Sequence, residues 1–154
     1  MKLSVVAFVT AVLIGGMAAS VAANPNMGTW KLNEAKSKLT PGGTKNHTVV
    51  YTAEGDKIKV IVDGTTADGK PSHSEWIGKF DGKDYPVTGD PTSDMRSYKK
   101  VDDRTTEFSV KKGGKVTATG RIEVSKDGKT RSVTLNGTDA KGNKVTSTGV
   151  YDKQ

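Results

Sequence analysis

The chain has 154 residues, with 24 basic and 17 acidic side chains, a formal net charge of +7 and no cysteine. Without cysteine there is neither a disulfide framework nor a lipid-modified cysteine behind a leader, so an exported domain of this composition must hold together by its core alone. The lysines are spread singly, as at Lys57, Lys59, Lys70, Lys79, Lys83 and Lys126, and no basic stripe interleaved with aromatics marks a nucleic-acid partner.

Met1-Lys2 opens with a positive charge, and residues 3–19 then run without a charged side chain through Val5, Val6, Phe8, Val9, Val12, Leu13 and Ile14. Small residues at alternating positions in Ser20-Val21-Ala22-Ala23 suit signal peptidase. The expected division is a signal peptide over 1–23 and one domain over 24–154, periplasmic or secreted, with no membrane span left after cleavage. The domain, about 130 residues, is long enough to bury a core.

Beyond the leader, apolar residues recur at every second position between glycine-containing pairs. The predicted strands run near Gly28 to Asn33, His47 to Ala53, Lys57 to Asp63, Ser72 to Phe80, Tyr85 to Thr88, Met95 to Val101, Thr105 to Lys111, Lys115 to Val124, Thr130 to Asn136 and Lys144 to Asp152. Between them, Glu54-Gly55-Asp56, Asp68-Gly69-Lys70, Asp81-Gly82-Lys83, Gly113-Gly114, Asp127-Gly128-Lys129 and Lys141-Gly142-Asn143 are hairpin signals, because glycine there supplies the positive φ of a tight turn. Ile58, Val60 and Val62 oppose Lys57 and Lys59, giving one buried and one wet face. So many short strands must close or stack to hide their edges, and the expected fold class is all-β: a single up-and-down antiparallel β-barrel of eight to ten strands. Gly64 to Lys70 has an echo in Gly137 to Asn143, from either a duplication or shared hairpin chemistry.

Gly28-Thr29-Trp30-Lys31-Leu32 resembles the opening of the calycins, the lipocalin, avidin and fatty-acid-binding barrels, and Ser147 to Lys153 is similar to the last strand of the fatty-acid-binding proteins. The resemblance implies a barrel plugged at one end by the tryptophan and closed by its first and last strands. The segment Lys79 to Pro91 resembles a group of small exported bacterial proteins. Two departures bear on function. Residues 33–46 leave no room for the helical lid of the fatty-acid-binding proteins. Gly149 stands where their last strand carries an arginine two residues before the tyrosine, here Tyr151.

If the barrel is hollow, its wall is expected to include Trp76, Phe80, Phe108, Ile122 and Tyr151, with the small residues Ser74, Gly78, Ala118, Gly120, Ser147 and Gly149 leaving room for an apolar ligand. The alternative is an interior filled by its own side chains. Arg96 and Tyr98, two apart, would share a face and clamp an anionic group, unless Met95, Ser97 and Val101 mark the buried side and put Arg96 outside. His47 and His73 are the only histidines, and no metal or other cofactor is expected. His73 and Ser74 point to opposite faces, so His73-Ser74-Glu75 is no hydrolase set. Asp90 and Asp94, like Asp102-Asp103, read as turn residues, and the sequons at Asn46 and Asn136 matter only in a eukaryotic secretory pathway. The functional expectation is a non-catalytic barrel for a small lipophilic or amphipathic ligand; the alternative is a structural or interaction protein of the cell envelope.

Overall fold

The computed structural model describes residues 24–139 and 141–154, so the expected signal peptide over 1–23 lies outside the described residues. Ten strands follow in order: β1 (Gly28–Leu32), β2 (Lys45–Glu54), β3 (Lys57–Thr65), β4 (Pro71–Gly78), β5 (Tyr85–Thr88), β6 (Met95–Lys100), β7 (Thr105–Lys112), β8 (Lys115–Val124), β9 (Thr130–Thr138) and β10 (Lys144–Lys153). Each pairs antiparallel with its neighbours in the chain, and β1 pairs with β10, so the sheet is a closed ten-stranded up-and-down barrel. Closure leaves no continuous edge to template another strand.

The local chemistry explains the connections. At the β7–β8 hairpin Lys112 pairs with Lys115, and the two residues between them, Gly113 and Gly114, both take positive φ (55° and 78°), as a turn matching the strand twist requires. The β4–β5 connection differs from the simple hairpin that Asp81-Gly82-Lys83 predicts. β4 ends at Gly78, and the chain then runs beside β6, where the Gly82 amide donates to the Tyr98 carbonyl (2.8 Å) and Asp81 bridges Lys99. Between β1 and β2 there is one 3₁₀ turn, Glu34–Lys36, capped by the Asn33 side chain. The chain then rejoins β10 at Lys38, opposite Thr148, and no helical lid forms.

Register fixes which residues point inward. Tyr51, Val60, Trp76 and Val87 stand opposite one another across β2 to β5; Tyr98, Phe108, Gly120, Leu135 and Ser147 do so across β6 to β10. Alternation makes these two of the inner rows; Tyr51, Val60, Trp76, Val87 and Tyr98 of the buried core lie in them, and Trp30, Ile122, Val124 and Tyr151 lie in the other rows of the same face.

Three inward glycines correct the expectation that small residues leave ligand space. A Cβ at Gly120 would collide with the Phe108 ring and sit 2.6 Å from the Thr134 carbonyl; one at Gly78 would lie 2.5 Å from both the Trp76 and Tyr85 rings; one at Gly149 would lie 2.9 Å from the Tyr151 ring. Each glycine is a bed on which an aromatic ring lies. Gly120→Ala should therefore destabilise the fold by about 1 to 3 kcal/mol, the usual consequence of overpacking, read as a lower urea midpoint at unchanged slope.

Candidate functional site

The barrel is closed at the end where β1 begins and β10 finishes. Asn26 is fully buried there: its carbonyl accepts from Trp30 Nε1 (2.7 Å), its amide nitrogen donates to Thr106 Oγ1 (3.3 Å), and its side-chain oxygen accepts from Arg131 Nη1 (3.3 Å). Arg131, only 2% exposed, lies with its guanidinium carbon 4.8 Å from the Trp30 ring centre, 4.9 Å from Tyr51 and 5.1 Å from Tyr151. Three ring faces turned on one cation replace part of the hydration that burial removes. The last strand lacks an arginine at Gly149, but β9 supplies one directly opposite Tyr151. Burial raises the Tyr51 hydroxyl to a pKa of about 12, with Arg131 pulling the other way, and burial also raises Tyr151. Arg131→Ala should cost about 2 to 5 kcal/mol in chemical unfolding, since it leaves a cavity between the three rings and deprives the buried Asn26 side-chain oxygen of its donor.

Above this base lies an aromatic cluster. Phe80 stacks on Tyr98 (5.0 Å, 12°); Trp76 meets Tyr98, Tyr85 and Phe80 edge to face at 4.7, 5.7 and 6.0 Å; and Tyr98 reaches Phe108 at 5.9 Å. Trp76, Phe80, Tyr98 and Phe108, all expected at the site, are thus together, but as packing against one another. Ile122 faces Thr106 and Val133 in the closed half. Tyr151 spends its hydroxyl on the Asn46 carbonyl (3.1 Å).

At the other end the inner wall is open. Val110, Ala118 and Val145 occupy one inward row with Gly137, and Leu135 and Ser147 the next, yet all are only half-buried. Arg96 shares the first of these rows, opposite Val110, and so faces inward with Tyr98; Ser97 and Ser109 hydrogen-bond to each other on the outer face instead (2.7 Å). The Arg96 side chain is 14% exposed, its nearest carboxylate is Asp90 at 3.6 Å, and its buried Nε has no hydrogen-bond partner among the described residues. Burial alone would lower the pKa of this guanidinium, but Tyr98 and Asp90 outweigh burial and hold it above the ordinary arginine value. Asp90 is desolvated too, yet hydroxyl and amide donors from Ser93 and Thr92 keep its carboxyl below the usual range.

Two depressions lie outside this inner wall. One, about 430 Å3, is a groove on the outer face of β6 to β9 lined by Ser97, Ser109, Thr119 and Asn136; the other, about 270 Å3, sits at the closed end between Asn24, Pro25, Ile58 and Phe80. His73 is on the outer face, its ring nitrogens 2.6 Å from Asp63 and 3.4 Å from Glu75, while Ser74 faces Val62 inside. His47 meets Thr65 Oγ1 at 2.7 Å. Among the described residues no group of three histidines or carboxylates is placed to hold a metal ion. Asp63 and Glu75 raise the His73 pKa, so the protonated form is favoured by folding. That contribution is complete below the unfolded histidine value, about 6.5, and is lost as pH rises through the folded one. An NMR titration of His73 should have its midpoint above that value, and Asp63→Asn should move the midpoint down.

Sequence reasoning missed Asn26, Tyr51 and Arg131. The available signal was a basic residue in apolar parity: Arg131, Val133 and Leu135 share one face of β9.

The fold and the interior define a closed ten-stranded antiparallel up-and-down barrel. Among solved structures it is similar to a redesigned β-barrel, mFAP1, bound to DFHBI (16% identity, 86% of this chain and 98% of that chain covered, TM-score 0.47). It is also similar to EF1p2_mFAP2b bound to DFHBI (14% identity, 90% and 100% covered, TM-score 0.50). At such identity the likeness speaks for architecture alone. No family model and no curated protein matches the chain.

Proposed function

We propose that this chain is an exported, non-catalytic barrel that holds a small apolar or amphipathic molecule at its open end. The observation that supports it is the contrast between the two ends. Inward residues at the base, such as Trp30, Ile58, Val124 and Arg131, are buried, whereas the inward Val110, Ala118, Leu135 and Val145 are only partly buried. Apolar side chains that face a barrel interior and still meet water form a concave wall whose covering by an apolar molecule is favourable. Arg96, and on other strands the inward Ser74 and Ser147, give that wall polar groups and suit a ligand with a polar or anionic group; Tyr98 follows Arg96 on the same face of β6. Barrels of this architecture accommodate a small occupant, as EF1p2_mFAP2b bound to DFHBI illustrates. Export rests on the leader-like first 23 residues.

The non-catalytic part of this reading is supported by the surroundings of His73, which lies on the outer surface between the carboxylates of Asp63 and Glu75, away from the inner hydroxyls. A second reading, a filled barrel acting through its outer surface, is favoured by the aromatic cluster that occupies the middle of the interior.

Titration with anilinonaphthalene sulfonate and, separately, with a medium-chain alcohol separates the two. The binding reading expects a change in tryptophan emission and a melting temperature that climbs with ligand, by the equivalent of about 2.7 kcal/mol at a hundredfold excess over Kd. Ala118→Trp should occupy the open wall and abolish both responses while circular dichroism stays that of the parent. A parent that responds to neither compound, or a variant that responds equally, would refute it in favour of the filled barrel.

A further inference from the structure

The ends of the barrel differ in charge as well as in packing. The connections at the open end, residues 38–45, 66–70, 89–94, 111–116, 139 and 141–144, hold eight lysines and four aspartates. Those at the closed end, residues 54–57, 79–84, 100–104, 125–129 and 152–154, hold eight basic and eight acidic side chains. The surplus of positive charge is thus gathered on the rim of the open end, while the base is balanced.

The rim's negative charges are also drawn into its own turns. Asp139 accepts from the amides of Lys141 and Asn143 (both 2.9 Å), Asp94 from that of Gly113 (2.9 Å), and Asp90 from Thr92 and Ser93. By contrast Lys112, Lys115, Lys141 and Lys144, on the adjacent β7–β8 and β9–β10 hairpins, are exposed and make no ion pair within 4.0 Å among the described residues. Beside them Val116 is 55% exposed. The other large exposed apolar side chain, Val101 at 47%, is at the balanced end.

From this placement we infer that the open rim docks on an anionic lipid bilayer, with Lys112, Lys115, Lys141 and Lys144 over the headgroups and Val116 against the acyl boundary. The inference rests on the binding reading above, because it sets the ligand entrance against the phase in which apolar molecules dissolve. Charge complementarity supplies attraction, and the exposed valine distinguishes a bilayer from a nucleic acid, whose recognition calls for aromatic platforms that these hairpins lack.

Flotation of the processed protein with vesicles of phosphatidylglycerol and phosphatidylcholine tests it. Binding is expected to the mixed vesicles and not to pure phosphatidylcholine, and to vanish near 0.5 M salt as screening shortens the reach of the lysines, roughly a Debye length of under 5 Å. Lys112→Gln with Lys115→Gln should weaken partitioning roughly 25-fold, about fivefold for each lysine. Val116→Ser should weaken it further without altering retention on heparin, and Lys126→Gln with Lys129→Gln, at the base, should leave it near the parent value. Equal partitioning to both vesicle types, no partitioning at all, or an equal loss from the base variant would overturn the inference. So would tighter binding to a short DNA duplex than to the vesicles. Uptake of anilinonaphthalene sulfonate in vesicle-free solution, measured on every variant, keeps a failure of docking distinct from a failure of binding.

Discussion

Three residue pairs, Trp30 with Lys153, Lys31 with Asp152 and Leu32 with Tyr151, join the first strand to the last and turn a ten-stranded ribbon into a ring. Every other strand pairing joins neighbours in the chain, so this seam, continued by the bridge of Lys38 to Thr148, is the strand pairing of longest range. Its strength comes from what lies behind it: Trp30 and Tyr151 enclose Arg131, and Asn26 locks Trp30 to Thr106 across the interior. Loop closure over most of the chain is offset by desolvated contacts at a single place.

A ring of short strands has weak joints, and two side chains mend them. β5 has four residues and forms two pairs with each neighbour. There the Trp76 indole donates to the Arg96 carbonyl (2.9 Å), tying β4 to β6 past the short strand. β1 leaves β2 after Lys31, and the Asn46 carbonyl beyond that point is met from inside by the Tyr151 hydroxyl. Carbonyls that the ladder leaves open still need a donor, so aromatic residues with a polar tip serve both as core and as staples.

The strands were legible because alternation and glycine-containing turns are local: all ten predicted segments overlap an observed strand, and the barrel follows from their number. The β4–β5 connection was not, since Asp81-Gly82-Lys83 has the chemistry of a hairpin and only the depth of Phe80 in the aromatic cluster draws the chain over β6 instead. Gly78, Gly120 and Gly149 were legible as inward but not as ring beds, because the ring above Gly120 comes from another strand. Arg131 was hidden for a related reason. Of its partners only Tyr151 is a hairpin neighbour, directly opposite on β10; Trp30 and Tyr51 come from strands remote in sequence, and nothing within β9 announces them. Arg96 is the intermediate case: spacing paired it with Tyr98, and register decided that the pair faces inward.

Both termini of the folded domain lie at the base. Asn26 is embedded there, and the Gln154 amide donates to the Thr29 carbonyl (3.0 Å). A tether at either terminus would therefore hold the molecule with its entrance pointing away from the point of attachment, by roughly the 25 Å height of a barrel of such strands.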